Sequence, residues 1–273
     1  MMAAMSTPAS DATVLVTGGT GLLGRVVVHR LRAAGYQVRV LTRNPSRATA
    51  VAGAELFPGD LRDPASLRRA LSFAQVVVHC ASDIQSAHDV DVSGTLSLIK
   101  AMRDLEVGHL VYVSIVGVDR LPIRYYRAKR DVEAIIQSHG VPWTIQRTTQ
   151  FHPFIETMLS RSARFPLIAC PRGLRYQPIA VEEVADRLVH HVGAGAVGMA
   201  EDLGGPEVLP VRALASSWLS TTGRRRLLLP VPFPGALGRQ FRAGANLCPG
   251  QASAGLTWQQ YLDQAHLVQA AGR

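Results

Sequence analysis

The chain has 273 residues, 47 % hydrophobic and 18 % charged, which is enough apolar surface for a sizeable core and too little charge for a disordered polypeptide. Glycine shows no period of three, no long heptad run occurs, and Cys80, Cys170 and Cys248 lie far apart without CxxC spacing; collagen-like, coiled-coil and disulfide-framework readings are excluded, and reduced thiols in a cytoplasmic protein are expected. The net charge of +9 divides as +5 over residues 1–150 and +4 over residues 151–273, with Arg224–Arg226 the one short cluster, so a solvated surface is expected rather than a nucleic-acid interface.

In chain order, residues 1–11 read as a flexible tail by their Ala, Ser, Thr and Pro content. They lack a basic start followed by an apolar stretch, so no signal peptide is expected, and no apolar run approaches the ~20 residues of a membrane span. Thr13–Thr17 is a β-branched run read as a strand; a glycine turn follows, then a helix over Leu22–Ala34 that Gly35 stops. Gln37–Thr42 alternates like a strand, and a short apolar piece, Glu55–Phe57, precedes Gly59-Asp60. Pro64 suits the first turn of a helix that Leu67–Leu71 continues. Val76–Cys80 reads as a buried strand, Val90–Leu105 as a helix, Leu110–Ser114 as a strand, Tyr125–Ser138 as a helix and Trp143–Arg147 as a strand.

This α/β alternation calls for a doubly wound parallel sheet with helices on both faces and right-handed crossovers. The nucleotide-binding region is expected over residues 12–150. Beyond it the rhythm weakens. Pro178–His191 gives one more strand-to-helix signal, Arg212–Thr221 looks helical, and Pro230, Pro232 and Pro234 exclude a central strand from Leu227–Gly235. Residues 151–273 are read as a smaller substrate-binding region over the open end of the sheet.

The strongest local signal is Thr17-Gly18-Gly19-Thr20-Gly21-Leu22-Leu23-Gly24, placed between a predicted strand and a predicted helix. Gly18, Gly21 and Gly24 have GxxGxxG spacing. The first position needs backbone freedom for a tight turn, the second lets a pyrophosphate approach main chain that carries no Cβ, and the third lets helix and strand pack closely. Main-chain N–H groups around Thr20, Leu22 and Leu23 then face the phosphates at the helix N-terminus. The second strand ends Val40-Leu41-Thr42-Arg43-Asn44, with no carboxylate for ribose hydroxyls. Arg43 suits a 2′-phosphate instead, so NADP(H) is expected over NAD(H). Asp60, followed by Leu61, either accepts the adenine amino group or opens the next helix. Cys80, Ala81 and Ser82 end the fourth strand and are small enough to leave room for ribose and nicotinamide; Cys80 reads first as a small buried hydrophobe.

These motifs, together with Val111-Tyr112-Val113-Ser114, Tyr125-Tyr126-Arg127-Ala128-Lys129, Arg147-Thr148-Thr149-Gln150-Phe151 and, more loosely, Ile179–Ala185 and Gly204-Gly205-Pro206, resemble the short-chain dehydrogenase/reductase superfamily. More narrowly, Val14 to about Phe154 is similar to its atypical, NmrA-like NAD(P)-binding group. The resemblance implies a Rossmann-type fold, a nicotinamide cofactor and hydride transfer aided by a Ser–Tyr–Lys set. Tyr125 and Lys129 are four apart and share one helix face. An ammonium near a phenol stabilises the phenolate, which eases proton transfer by a group whose ordinary pKa is about 10, and Lys129 also suits a bond to the nicotinamide ribose. Lys129 is one of only two lysines, Lys100 being the other. Tyr126 points elsewhere by about 100° of helix rotation and stays an alternative acid or a substrate contact. Ser114 is the candidate serine, although many relatives place it one or two positions later, at Ile115 and Val116 here, and Asp91 stands where many have asparagine.

Gln150, Phe151 and His152 follow the sixth strand, whose C-terminal end faces the ligand crevice in this topology. They are read as substrate contacts, with His152 either a second acid/base or a plain loop histidine. Pro230–Phe233 and Trp258 are further pocket candidates, or core. No metal-ligand spacing and no GxSxG motif occurs. Two functions compete: an NADPH-dependent reductase of a small, apolar carbonyl, quinone or conjugated substrate, and a non-catalytic NAD(P)-binding redox sensor acting through a protein partner. The expected partners are a small-molecule substrate and either a second copy or a regulatory protein, with neither nucleic acid nor membrane.

Overall fold

The computed structural model describes residues 12–47, 51, 53–84 and 86–271; the expected tail, residues 1–11, lies outside them. The elements run β1 (Thr13–Thr17), α1 (Leu22–Ala33), β2 (Gln37–Thr42), β3 (Glu55–Pro58), α2 (Pro64–Leu71), β4 (Val76–His79), α3 (Gly94–Asp104), β5 (His109–Ile115), α4 (Arg124–Ser138) and β6 (Trp143–Thr148). They continue with α5 (His152–Ser162), β7 (Leu167–Pro171), β8 (Arg175–Tyr176), α6 (Val181–Ala194), β9 (Gly198–Met199), β10 (Leu209–Pro210), α7 (Val211–Thr221), β11 (Leu227–Val231), α8 (Gly235–Arg242) and α9 (Trp258–Ala271). Two compact units share this chain. The first holds residues up to Ser114, Arg127–Gln146 and Val184–Ala200; the second holds Ile115–Tyr126, Arg147–Glu183 and the residues from Glu201 onward.

The first unit is built on a seven-strand sheet of order β3-β2-β1-β4-β5-β6-β9, parallel at β1–β2, β1–β4, β2–β3, β4–β5 and β6–β9. This is the doubly wound, Rossmann-type α/β sheet that the alternation predicts. Near-continuous apolar runs such as Val14-Leu15-Val16 and Val76-Val77-Val78 suit strands covered on both faces, and Leu15, Val77 and Leu110 pack with Leu67, Leu98, Met102 and Ile145 in one core. Strand order reverses between β1 and β4, and ligands of open α/β sheets bind at such a switch point, beyond the strand C-termini.

Two local expectations are corrected. The helix expected from Val90 starts earlier, as a π turn over His88–Ser93 that leads into α3. Helix α2 is opened by Asp63, whose carboxylate accepts from Ala65 N at 3.1 Å and Ser66 N at 3.2 Å; Asp60 does not cap it. As the prolines require, Leu227–Val231 is not a central strand: it forms an edge strand in a sheet of only two, β11 beside β7 in parallel, where the missing N–H is tolerated.

The second unit has its own core of Ile155, Leu159, Ile168, Leu214, Trp218, Phe241 and Trp258. Trp258, a pocket candidate, is instead 2 % exposed and donates its indole N–H to Leu214 O at 3.2 Å.

Candidate active site

In the first unit a cleft of about 490 Å³ opens at the C-terminal ends of β1, β2 and β4. The glycine turn forms its floor. Gly18 has φ +67°, and a Cβ there would sit 2.5 Å from Ala81 N. A Cβ on Gly24 would sit 2.1 Å from Gly18 O, so the start of α1 lies directly on the turn. Gly21 differs: it has φ −77°, and a Cβ would meet only Gly18 O, at 3.2 Å, while the residue lines the cleft beside Gly18 and Thr20. Helix α1 begins at Leu22 with no side-chain cap and no acid in its first turn. Its first N–H groups, including those of Leu22 and Leu23, are therefore left to an anionic ligand; the Leu23 side chain is buried in the core.

Around the rim stand Arg43, exposed at the end of β2, then Asp60 and Leu61 after β3, and Cys80, Ala81 and Ser82 after β4. Both oxygens of the Asp60 carboxylate are already taken by Arg62, at 2.9 and 2.8 Å. That guanidinium, with a further contribution from Arg43, holds the acid down at about 2. The Cys80 thiol is pushed up to about 12 by desolvation and is a packing group rather than a nucleophile.

Behind the cleft lies a buried polar chain that sequence reasoning missed. Thr17 Oγ1 lies 2.5 Å from His79 Nδ1, and His79 Nε2 lies 2.9 Å from Thr95 Oγ1. Thr95 in turn donates to the Asp91 carbonyl. Burial, aided by the charge on Lys129, lowers His79 to about 3, so it serves as a neutral link between β1, β4 and α3. The available signal was a histidine closing an otherwise all-valine strand.

Asp91 sits on the π turn and is 1 % exposed. One carboxylate oxygen accepts from Ser82 Oγ at 2.6 Å and pairs with Lys129 Nζ at 3.3 Å; the other accepts from Asp83 N at 3.0 Å. Lys129 is itself buried, its ammonium 4.9 Å above the Tyr112 ring. The residue flagged as a departure from relatives is thus the countercharge of the candidate lysine. Ser114 is placed otherwise than expected. It is 1 % exposed, and its Oγ donates to Glu133 Oε1 at 2.5 Å, so the hydroxyl expected to polarise a carbonyl is turned into the core.

The second unit carries the other candidates. Tyr125 lies on α4, four residues before Lys129, with its ring edge-on to Tyr126 at 6.4 Å. Burial pushes the Tyr126 phenol up to about 12, and its oxygen accepts from Gln150 Nε2 at 3.1 Å. Gln150 is 9 % exposed, and its Oε1 has no hydrogen-bond partner among the described residues. Phe151 is half-buried at the start of α5. His152 has no exposed surface and lies flat against Tyr261, ring centres 4.9 Å apart, and Trp258, 5.9 Å apart. Burial lowers it to about 4. It is a core ring here, not a substrate contact or an acid/base.

The donor set of the cleft fits a dinucleotide: an uncapped helix start for the diphosphate, a Cβ-free approach at Gly21, and an arginine rather than an acid at the end of β2. The comparisons agree. A family model described as NAD(P)H-binding matches residues 18–159. A (4-alkanoyl-5-oxo-2,5-dihydrofuran-3-yl)methyl phosphate reductase of Streptomyces griseus is 31 % identical over 219 residues, 77 % of this chain and 74 % of that protein. The photosystem II assembly factor Ycf39 of Trieres chinensis is 35 % identical over 147 residues, which cover 51 % of this chain but only 46 % of the relative. Among solved structures, an NADPH-dependent quinone oxidoreductase of Escherichia coli complexed with NADPH superposes with TM-score 0.78 at 17 % identity, over 93 % of this chain and 99 % of that one. A Thermus thermophilus UDP-glucose 4-epimerase complexed with NAD gives 0.71 at 20 % identity, over 93 % and 99 %. The chain belongs to the family described as NAD(P)H-binding.

Proposed function

We propose that the chain is an NADPH-dependent reductase of a small, apolar carbonyl, quinone or conjugated substrate. The observation that carries this reading is Lys129: a buried ammonium, neutralised by Asp91, four residues after Tyr125 on one helix. A protein that only senses nucleotide has no need of a phenol served by such a group. Bound reduced nicotinamide supplies the hydride. Tyr125 supplies the proton to the substrate oxygen, and Lys129 stabilises the phenolate left behind and holds a ribose hydroxyl. Tyr126, raised to about 12 and accepting from Gln150 Nε2, orients substrate rather than releasing a proton, its O–H left to donate to a substrate oxygen. Phe151 adds an apolar contact. The Streptomyces griseus relative, named a reductase, supports this assignment.

Arg43 gives the preference for NADPH. Arg43→Ala should weaken NADPH by roughly tenfold or more, the scale of a charged, paired hydrogen bond, and leave NADH nearly unchanged, as read by quenching of protein fluorescence. Equal loss for both nucleotides would remove the 2′-phosphate from Arg43.

The reductase reading is tested by following the nicotinamide absorbance band with a panel of quinones and aldehydes. Tyr125→Phe should lower turnover by about 100-fold or more and spare NADPH binding; unchanged turnover takes the proton from Tyr125. A second reading, a redox sensor acting through a protein partner, is favoured by Ser114, whose hydroxyl is committed to Glu133. NADPH binding without turnover of any panel member would select it.

A further inference from the structure

We infer that the outer face of β7 and β11 in the second unit is a docking surface for an anionic lipid bilayer, lying on it rather than crossing it. Strands with one wet face alternate apolar inward and polar outward. Here both strands are apolar outward. Leu167 pairs in register with Leu227, and Ala169 with Leu229. Leu167, Leu227 and Leu229 are 43, 76 and 48 % exposed, while Ile168 and Cys170 face the core. Phe165, two residues before β7, is 66 % exposed. Single exposed leucines are ordinary, but a contiguous plate of them marks an interaction site.

Exposed arginines flank the plate along the chain: Arg161 and Arg164 before β7, Arg172 after it, and Arg224 and Arg225 before β11. Residues 157–181 and 208–262, which include β7, α7, β11 and α8, contain ten arginines and no lysine, and the acids nearest in sequence, Glu156, Glu182, Glu207 and Asp263, stand at their ends rather than on β7 or β11. Arg224, Arg225 and Arg226 line an open hollow with Pro166, Leu227 and Leu228. Arg226 Nε donates to Ala163 O at 2.8 Å, which ties the triplet to the approach to β7 between exposed Arg161 and Arg164. At the other end of the plate, exposed Arg172 follows β7 directly.

The occupant follows from these two properties together. A second copy would bring a like-charged face against this one. A nucleic acid would engage the guanidinium groups and leave the leucines and Phe165 in water. A specific protein partner would use polar side chains on the plate to set its register, and the plate has none. A bilayer bearing acidic headgroups satisfies both: leucine and phenylalanine enter the interface, and the arginines meet lipid phosphates while their stems lie along it.

The test is sedimentation of the full chain with vesicles of phosphatidylglycerol and phosphatidylcholine, against phosphatidylcholine alone. Expected are retention on the acidic vesicles only, loss of retention as salt is raised, and a blue-shifted emission from Phe165→Trp on binding. Leu227→Ser with Leu229→Ser, and separately Arg224→Gln with Arg225→Gln, should each weaken retention by about tenfold or more, with NADPH binding retained as the control for folding. No retention on acidic vesicles, equal retention on both kinds, or retention indifferent to the leucine pair would each overturn the proposal. So would retention of a DNA duplex as strong as that of the vesicles. Self-association abolished by the leucine pair would assign the face to a second copy and overturn it likewise.

Discussion

Gly18→Ala should lose both stability and nucleotide, whereas Gly21→Ala should lose nucleotide alone. At Gly18 the backbone has φ +67° and the new Cβ would lie 2.5 Å from Ala81 N. The left-handed conformation costs a non-glycine residue about 1–2 kcal/mol, and the obstacle is main chain at the end of β4, which cannot swing aside as a side chain can. A total of about 3 kcal/mol is expected, a fall of roughly 6–12 °C in melting temperature for a chain of this size. At Gly21 the backbone is ordinary, and the one near atom, Gly18 O, has to yield only a few tenths of an ångström. Its methyl would enter the space through which a diphosphate reaches the turn. Stability should change by less than about 1 kcal/mol, and NADPH affinity should fall by about 100-fold, equivalent to about 2.7 kcal/mol. Thermal melting and nucleotide titration of the two variants side by side make the check. Wild-type affinity in Gly21→Ala would remove the diphosphate from this turn.

The second large effect is expected at Asp91. Asp91→Ala takes the carboxylate from an ammonium that is 4 % exposed and strips Ser82 Oγ and Asp83 N of their acceptor. Breaking a buried ion pair from one side costs about 3–5 kcal/mol, because the remaining charge is still desolvated. Asp91→Asn retains an acceptor for Ser82 and should cost less. Combining Asp91→Asn with Lys129→Met removes both charges and should recover much of the loss, since the penalty lies in the unmatched charge rather than in the pair. Urea denaturation of the three variants measures this. If Asp91→Ala costs under about 1 kcal/mol, the pair contributes no more than one at the surface. The same residue bears on chemistry, because it fixes the position of the ammonium on which Tyr125 is proposed to depend.

What could be read in the sequence was local. The glycine turn is legible because its spacing and its place between a strand and a helix lie within eight residues, although the atom that excludes a Cβ at Gly18 is Ala81 N; β1, β4 and β5 are legible because an apolar run closed by turn residues has few other fates, and β2 by its alternation. Features set by distant contacts were not. The π turn at His88–Ser93 distorts a good helical pattern around a residue, Asp91, bound to a lysine 38 positions on. His152 reads as a loop histidine until Tyr261 and Trp258, more than a hundred residues away, close on its ring. Ser114 sits where a strand end offers a hydroxyl to the crevice, yet Glu133 on α4 claims it. Asp60 and Asp63 both suit the start of α2; Asp63, directly before Pro64, takes it.

The interleaving of the two units bears on any dissection of this chain. Residues 184–200 return to the first unit after the second has begun, and bring β9 onto β6, Asp186 to within 2.7 Å of Arg30, and His191 to within 2.9 Å of Gln146. A fragment ending near residue 150 would retain the whole glycine turn but strip the covering strand from β6. That leaves a bare row of amides and carbonyls able to recruit another polypeptide. Expression of a minimal nucleotide module should therefore carry residues 184–200 along, or accept aggregation as its usual fate.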